Sequence, residues 1–135
     1  MSRAAAAVMI SAMIFSSLFA EGVQWRSWEA GIKEAKVSNK IVMIDAVRRG
    51  CHYCEDMDAQ VFKDAAMAAY IEKRFVPVKI DLSEEALPLD LDVSMTPTFF
   101  FISEEGRLIK RVPGSWNRED FRSFLDGVKK EEEKQ

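Results

Sequence analysis

Histidine occurs once in this chain and cysteine twice, so its whole supply of imidazole and thiolate metal ligands is three side chains. Structural zinc usually takes four such ligands, which excludes that kind of site. Two cysteines are also too few for a disulfide framework, and 135 residues at 48% hydrophobic content can build a core without one. The six glycines and four prolines are scattered, leaving no linker or low-complexity stretch at which to divide the chain. A single domain is expected. Excess positive charge is missing as well: 19 basic against 22 acidic residues give a formal charge of −3, with no basic stripe to track a phosphate backbone. Nucleic acid is therefore not an expected partner.

A long apolar run occurs only at residues 1–20, where Arg3 is followed by Ala, Val, Met, Ile, Phe and Leu with interspersed Ser, then Glu21-Gly22. This is the pattern of a secretory signal peptide, with Ala20 suited to the last position before cleavage. Leu18 is larger than the small residue preferred two positions earlier, so an uncleaved N-terminal anchor is the alternative. About 17 residues broken by serines is at the short limit for a membrane span. Either way, the domain at residues 21–128 is expected to be periplasmic or otherwise exported.

Periodicity orders the rest. Trp25, Trp28, Ile32 and Ala35 recur at helical spacing and predict a helix over 24–37. Residues 40–47 are short, apolar and β-branched, as in a strand buried on both faces. A helix is expected over 51–60, a second helical piece over 64–74 with Asp64 as N-cap, and a strand over 75–81. Residues 82–95 are acidic and irregular, with a short helix expected to begin at Ser83. Strands at 98–103 and 107–112 form a hairpin around Glu104-Glu105-Gly106. Asn117 caps a last helix through 128, and 129–135 is expected as a charged, frayed tail. The order describes an α/β fold: a mixed sheet of about four strands flanked by helices.

The two cysteines stand as Cys51-His52-Tyr53-Cys54, just after the first strand and at the mouth of the next helix. Unpaired N–H groups and the helix dipole there favour thiolate over thiol, and can bring a cysteine pKa from about 8.5 to between about 3.5 and 7.5. Cys54, one turn on, is placed to resolve a mixed disulfide formed at Cys51. A structural role is the competing reading, but so short a disulfide loop removes little chain entropy. His52 is either a solvated helix-start residue or, when charged, a stabiliser of the Cys51 thiolate. Tyr53 reads as a surface lid over the site. Asp45 is either solvated at a strand edge or buried, in which case its pKa should be raised.

Four features occur together: the dithiol after a strand, Asp45 six residues before it, Thr96-Pro97-Thr98 opening a strand, and Gly106 and Gly114 bracketing the next one. With these the chain resembles the thioredoxin superfamily, most closely its small exported thioredoxin-like and disulfide-interchange members. The resemblance implies a thioredoxin fold, Cys51 as nucleophile and Cys54 as resolving thiol. It implies a cis peptide before Pro97, with Thr96 offering backbone groups to an extended substrate strand and His52 and Tyr53 beside it. It implies that Asp45 takes the proton of Cys54 through water. No cofactor or metal is implied.

Gly50 stands where the family usually has Trp, and His52-Tyr53 replaces Gly-Pro. With Arg48 and Arg49 adjacent, these departures favour the reduced form and hence a more oxidising disulfide. The expected activity is reduction of client protein disulfides by a monomer that draws electrons from a membrane-embedded partner. A dithiol oxidase or isomerase, or a non-enzymatic peptide-binding module of the same fold, is the alternative.

Overall fold

A computed structural model describes residues 22–133; the segment read as a signal peptide lies outside them. The elements are α1 (Trp28–Ser38), β1 (Ile41–Val47), α2 (His52–Met57), a π turn (Asp58–Phe62), α3 (Ala65–Arg74), β2 (Phe75–Asp81), β3 (Thr98–Ile102), β4 (Leu108–Pro113) and α4 (Arg118–Glu133). The strands form one mixed sheet in the order β2-β1-β3-β4, with β1 parallel to β2 and antiparallel to β3, and β3 antiparallel to β4. This is the expected four-stranded thioredoxin fold.

Both faces of the sheet are covered, so β1 and β3 read as continuous apolar runs. On one face Met43, Phe99 and Phe101 pack under Met57, Val61, Phe62, Ile71, Phe121 and Leu125 from the later helices. On the other, Val42, Ile44, Val76, Val78 and Phe100 meet Ala35 of α1, with Trp28, Ile32 and Leu87 at the margin. Asp45 alternates with Ile44 and Ala46, which places it on the first face, beneath α2.

The approach of α1 to the sheet depends on Gly31. A Cβ there would meet Val78 Cγ2 at 2.3 Å, inside a core that has no slack. Gly31→Ala is therefore expected to lower stability by about 1–3 kcal/mol despite alanine's better helix propensity, read as a reduced urea midpoint at unchanged slope.

Four expectations are corrected. The first helix starts at Trp28, because Ser27 caps it by accepting from the Ala30 N–H at 3.2 Å. Arg26 instead pairs with the outer edge of β2, donating to the Pro77 carbonyl and accepting from the Lys79 N–H. That carries Trp25 to the opposite face, edge-on to Phe62 with ring centroids 5.0 Å apart. After Met57 the helix widens into a π turn, closed by the Lys63 N–H donating to the Asp58 carbonyl.

No helix begins at Ser83. The Ser83 N–H donates to the Asp81 carboxylate, and the Glu84 and Glu85 N–H groups donate to the Asp81 carbonyl, forming a turn. Beyond it, Pro88 followed by Leu89 and Asp90, both left-handed, keeps the crossover irregular. Helix α4 runs through Glu133 into the segment expected as a frayed tail, and a Lys110–Glu131 ion pair at 3.0 Å ties that extension to β4.

Candidate active site

β1 delivers the chain to a loop, residues 48–50, that ends on Gly50 at φ +70°. A side chain there would meet open space but a strained backbone, so the departure from Trp is a conformational requirement of this loop. The turn sets Cys51 at the N-cap of α2 in extended conformation.

Cys51 and Cys54 are joined in a disulfide with Cα atoms 5.3 Å apart. Cys51 is half-buried, whereas Cys54 is only 6% exposed. Two donors converge on the Cys51 sulfur: the Cys54 N–H at 3.2 Å and the Thr96 hydroxyl at 3.3 Å. Both would stay directed at a thiolate once the disulfide opens, and hydrogen bonds to the charged form favour it. The Thr96 carbonyl oxygen lies 3.6 Å from the same sulfur. The sequence suggested only backbone contacts from Thr96, since which way its hydroxyl turns depends on the packing of two distant segments.

The Thr96–Pro97 peptide is cis and Pro97 is buried. Its carbonyl accepts from the Gly114 N–H at 2.8 Å, bringing the end of β4 beside the dithiol. Trp116 follows, its N–H donating to the Met57 sulfur at 3.2 Å, so the floor of the site is continuous with the core. His52 and Tyr53 stand at the rim, 77% and 61% exposed. His52 Nε2 lies 3.4 Å from the Asp56 carboxylate, and its ring meets Tyr53 edge-on.

Asp45 is 1% exposed, on a central strand, which rules out solvation at a sheet edge. Its Oδ1 has no hydrogen-bond partner among the described residues, and its Oδ2 lies 3.9 Å from Lys79 Nζ. Burial pushes the carboxyl from its ordinary 3.8 up to about 7; Lys79 pulls it back and Asp58 pushes it further up. Lys79 and Asp58 were not singled out from sequence, although a lysine inside the apolar strand 75–81 is a legible irregularity.

Arg49 has an acidic partner of its own. Arg49 Nη2 faces Glu84 at 3.9 Å and its N–H donates to the Ser83 hydroxyl, so the acidic crossover folds back over the loop. Both Arg49 and Glu84 are well exposed, and water and salt screen what charge reaches the sulfur.

The arrangement has one accessible sulfur that can attack, one shielded sulfur that can resolve, and a buried carboxyl that changes protonation near neutral pH. Comparison with known proteins gives the same chemistry a lineage. The thioredoxin-like domain family matches residues 28–129. Thioredoxin H4 of Arabidopsis thaliana is 30% identical over 98 residues, covering 73% of this chain and 79% of that protein. Thioredoxin H5 of the same plant is 35% identical over 92 residues, covering 65% and 71%. Among solved structures, a thioredoxin from Thermus thermophilus is 25% identical with a TM-score of 0.68, covering 79% of this chain and 87% of that one. The chain belongs to the thioredoxin-like family, and its Cys51–Cys54 pair makes it a thiol–disulfide oxidoreductase.

Proposed function

We propose that this protein works outside the cytoplasm as a monomeric reductase of client protein disulfides, resupplied with electrons by a membrane-embedded partner. The observation that carries the dithiol chemistry is the half-buried Cys51 sulfur, which accepts from the Cys54 N–H and the Thr96 hydroxyl, with the buried Asp45 carboxyl, at about 7, on the face that α2 covers. A base with its pKa near the working pH is most useful to the step that ends a reduction, in which Cys54 must lose its proton as it attacks. The composition of residues 1–20 supports export.

In this reading the Cys51 thiolate attacks a client disulfide, forming a mixed disulfide and releasing the first client sulfur as a thiolate. Cys54 gives its proton to Asp45 and attacks the Cys51 sulfur. The Cys51–Cys54 bond forms, the bond to the second client sulfur breaks, and that sulfur leaves with its electron pair. The client gains two electrons and two protons; the dithiol becomes the disulfide. Clients would lie extended across Pro97, paired with the Thr96 backbone, with His52 and Tyr53 at the rim.

Equilibration with glutathione, followed by quantifying the oxidised and reduced protein, tests the direction. A potential near about −270 mV is expected for the reductase, and one near about −120 mV would establish an oxidase instead.

A further inference from the structure

Cys54, Asp58, Lys79 and Asp45 form a connected series on the face of the sheet beneath α2. Asp58 stands one turn after Cys54, where α-type bonding gives way to the π turn, and its N–H donates to the Cys54 carbonyl. Its carboxylate accepts from Lys79 Nζ at 2.8 Å. The same ammonium lies 3.9 Å from Asp45 Oδ2, because Asp45 and Lys79 are neighbours across the β1–β2 pair. One cation serves two carboxylates, and it is closer to the exposed one.

What surrounds this series is defined. β3 presents Phe99 beside Asp45, and the ring of Trp25 covers the Lys79 ammonium at 4.6 Å. An open cavity of about 250 Å³, lined by Trp25, Asp58, Lys63 and Lys79 among others, reaches the ammonium from solvent. Among the described residues, the charged groups acting on Asp45 are therefore Lys79 from β2 and Asp58 from the π turn, with Lys63 at the cavity rim and Cys54 one turn above Asp58.

We infer that Asp58 is a positioning residue for proton transfer: it holds Lys79 off the buried Asp45, and the cavity beside Lys79 is where the Asp45 proton exchanges with water. This rests on the reductase reading above. If Lys79 closed fully on Asp45, the ion pair would hold Asp45 ionised and make it a poor acceptor near neutrality. With Asp58 competing for the ammonium, Asp45 can take the Cys54 proton in the resolving step. It then passes that proton through cavity water to bulk solvent, from which the departing client thiolate is protonated.

The test is the pH profile of single-turnover disulfide reduction, read together with the ¹³C titration of the Asp45 carboxyl in the reduced protein. Asp58→Asn frees Lys79 for Asp45, so both midpoints should fall by about one pH unit, a tenfold loss of proton affinity. Lys79→Met should raise both, and it tests the same series if Asp58→Asn does not fold. Asp45→Asn should abolish the limb in the profile. A carboxyl titration unmoved in Asp58→Asn, or in Lys79→Met where that variant stands in, overturns the positioning role while leaving the reductase reading intact. A titration that moves while the rate profile stays fixed overturns the link to proton transfer. A wild-type profile with no limb that depends on Asp45 overturns the general-base role of Asp45 and, with it, this inference.

Discussion

Cys51→Ser is expected to abolish insulin reduction, with a rate loss on the order of a thousandfold or more, because it removes the attacking atom itself. Cys54→Ser should behave differently. It keeps the half-exposed sulfur and its Thr96 hydroxyl donor but removes the resolving sulfur, so a mixed disulfide with the client should accumulate and be visible by intact mass after acid quenching. The two variants assign the two sulfurs independently. Equal activity of wild type and Cys51→Ser would contradict the enzyme reading and leave a peptide-binding module that uses the groove at Thr96 and Pro97. The asymmetry in burial between the cysteines predicts the order of events, since a client sulfur can approach Cys51 in line while Cys54 is shielded on the buried face of α2.

Asp45 is expected to make the oxidised protein less stable as pH rises from about 4 to above 7. The unfolded chain releases this proton near 3.8 and the folded chain near 7, so between those values the native state holds a proton that the unfolded state has lost. Stability from this group is complete at acid pH and disappears as pH climbs through the folded value. Each tenfold change in proton affinity is worth about 1.4 kcal/mol, so the rise from 3.8 to about 7 amounts to about 4 kcal/mol by pH 8. Urea unfolding across this range should show that loss in the wild type. It should be absent from Asp45→Asn, which should be the more stable protein at pH 8. Parallel pH dependences in the two would show that the cost of burying this carboxylate is met by partners other than Lys79.

That a group so costly to ionise sits in the core fits a role in chemistry better than one in folding, since an apolar residue there would be more stable. The unpartnered Oδ1 points the same way. Asp64 shows the contrast: as the N-cap of α3 it accepts from the Met67 N–H and is held below the usual carboxylate range by that bond and by Arg118. One aspartate is tuned toward neutrality by burial, the other away from it by donors.

How much was legible from sequence follows the range of each signal. β1, α3, β2 and β3 carry dense apolar patterns or a capping aspartate and were placed nearly residue for residue. Expectations failed where a local pattern had a non-local competitor. Trp25 matched the helical period of Trp28 and Ile32, but edge pairing of Arg26 with β2 diverted it to the other face. Ser83 read as a helix start until its hydroxyl was taken by Arg49 and its N–H by Asp81. The π turn had no signal in the sequence.

The order of strands and helices was legible as a mixed α/β sheet because hydrophobic period and helix-start position are properties of neighbouring residues, while the two cysteines, Asp45 and Thr96-Pro97 carried the resemblance to thioredoxins that implied the rest of the chemistry. Which sulfur faces solvent, which way the Thr96 hydroxyl turns, that Arg49 is engaged by Glu84 and that one lysine is shared by Asp45 and Asp58 were decided only when the strands found their register. These are contacts between segments far apart in the chain, and their energies depend on burial and distance, neither of which a linear sequence carries.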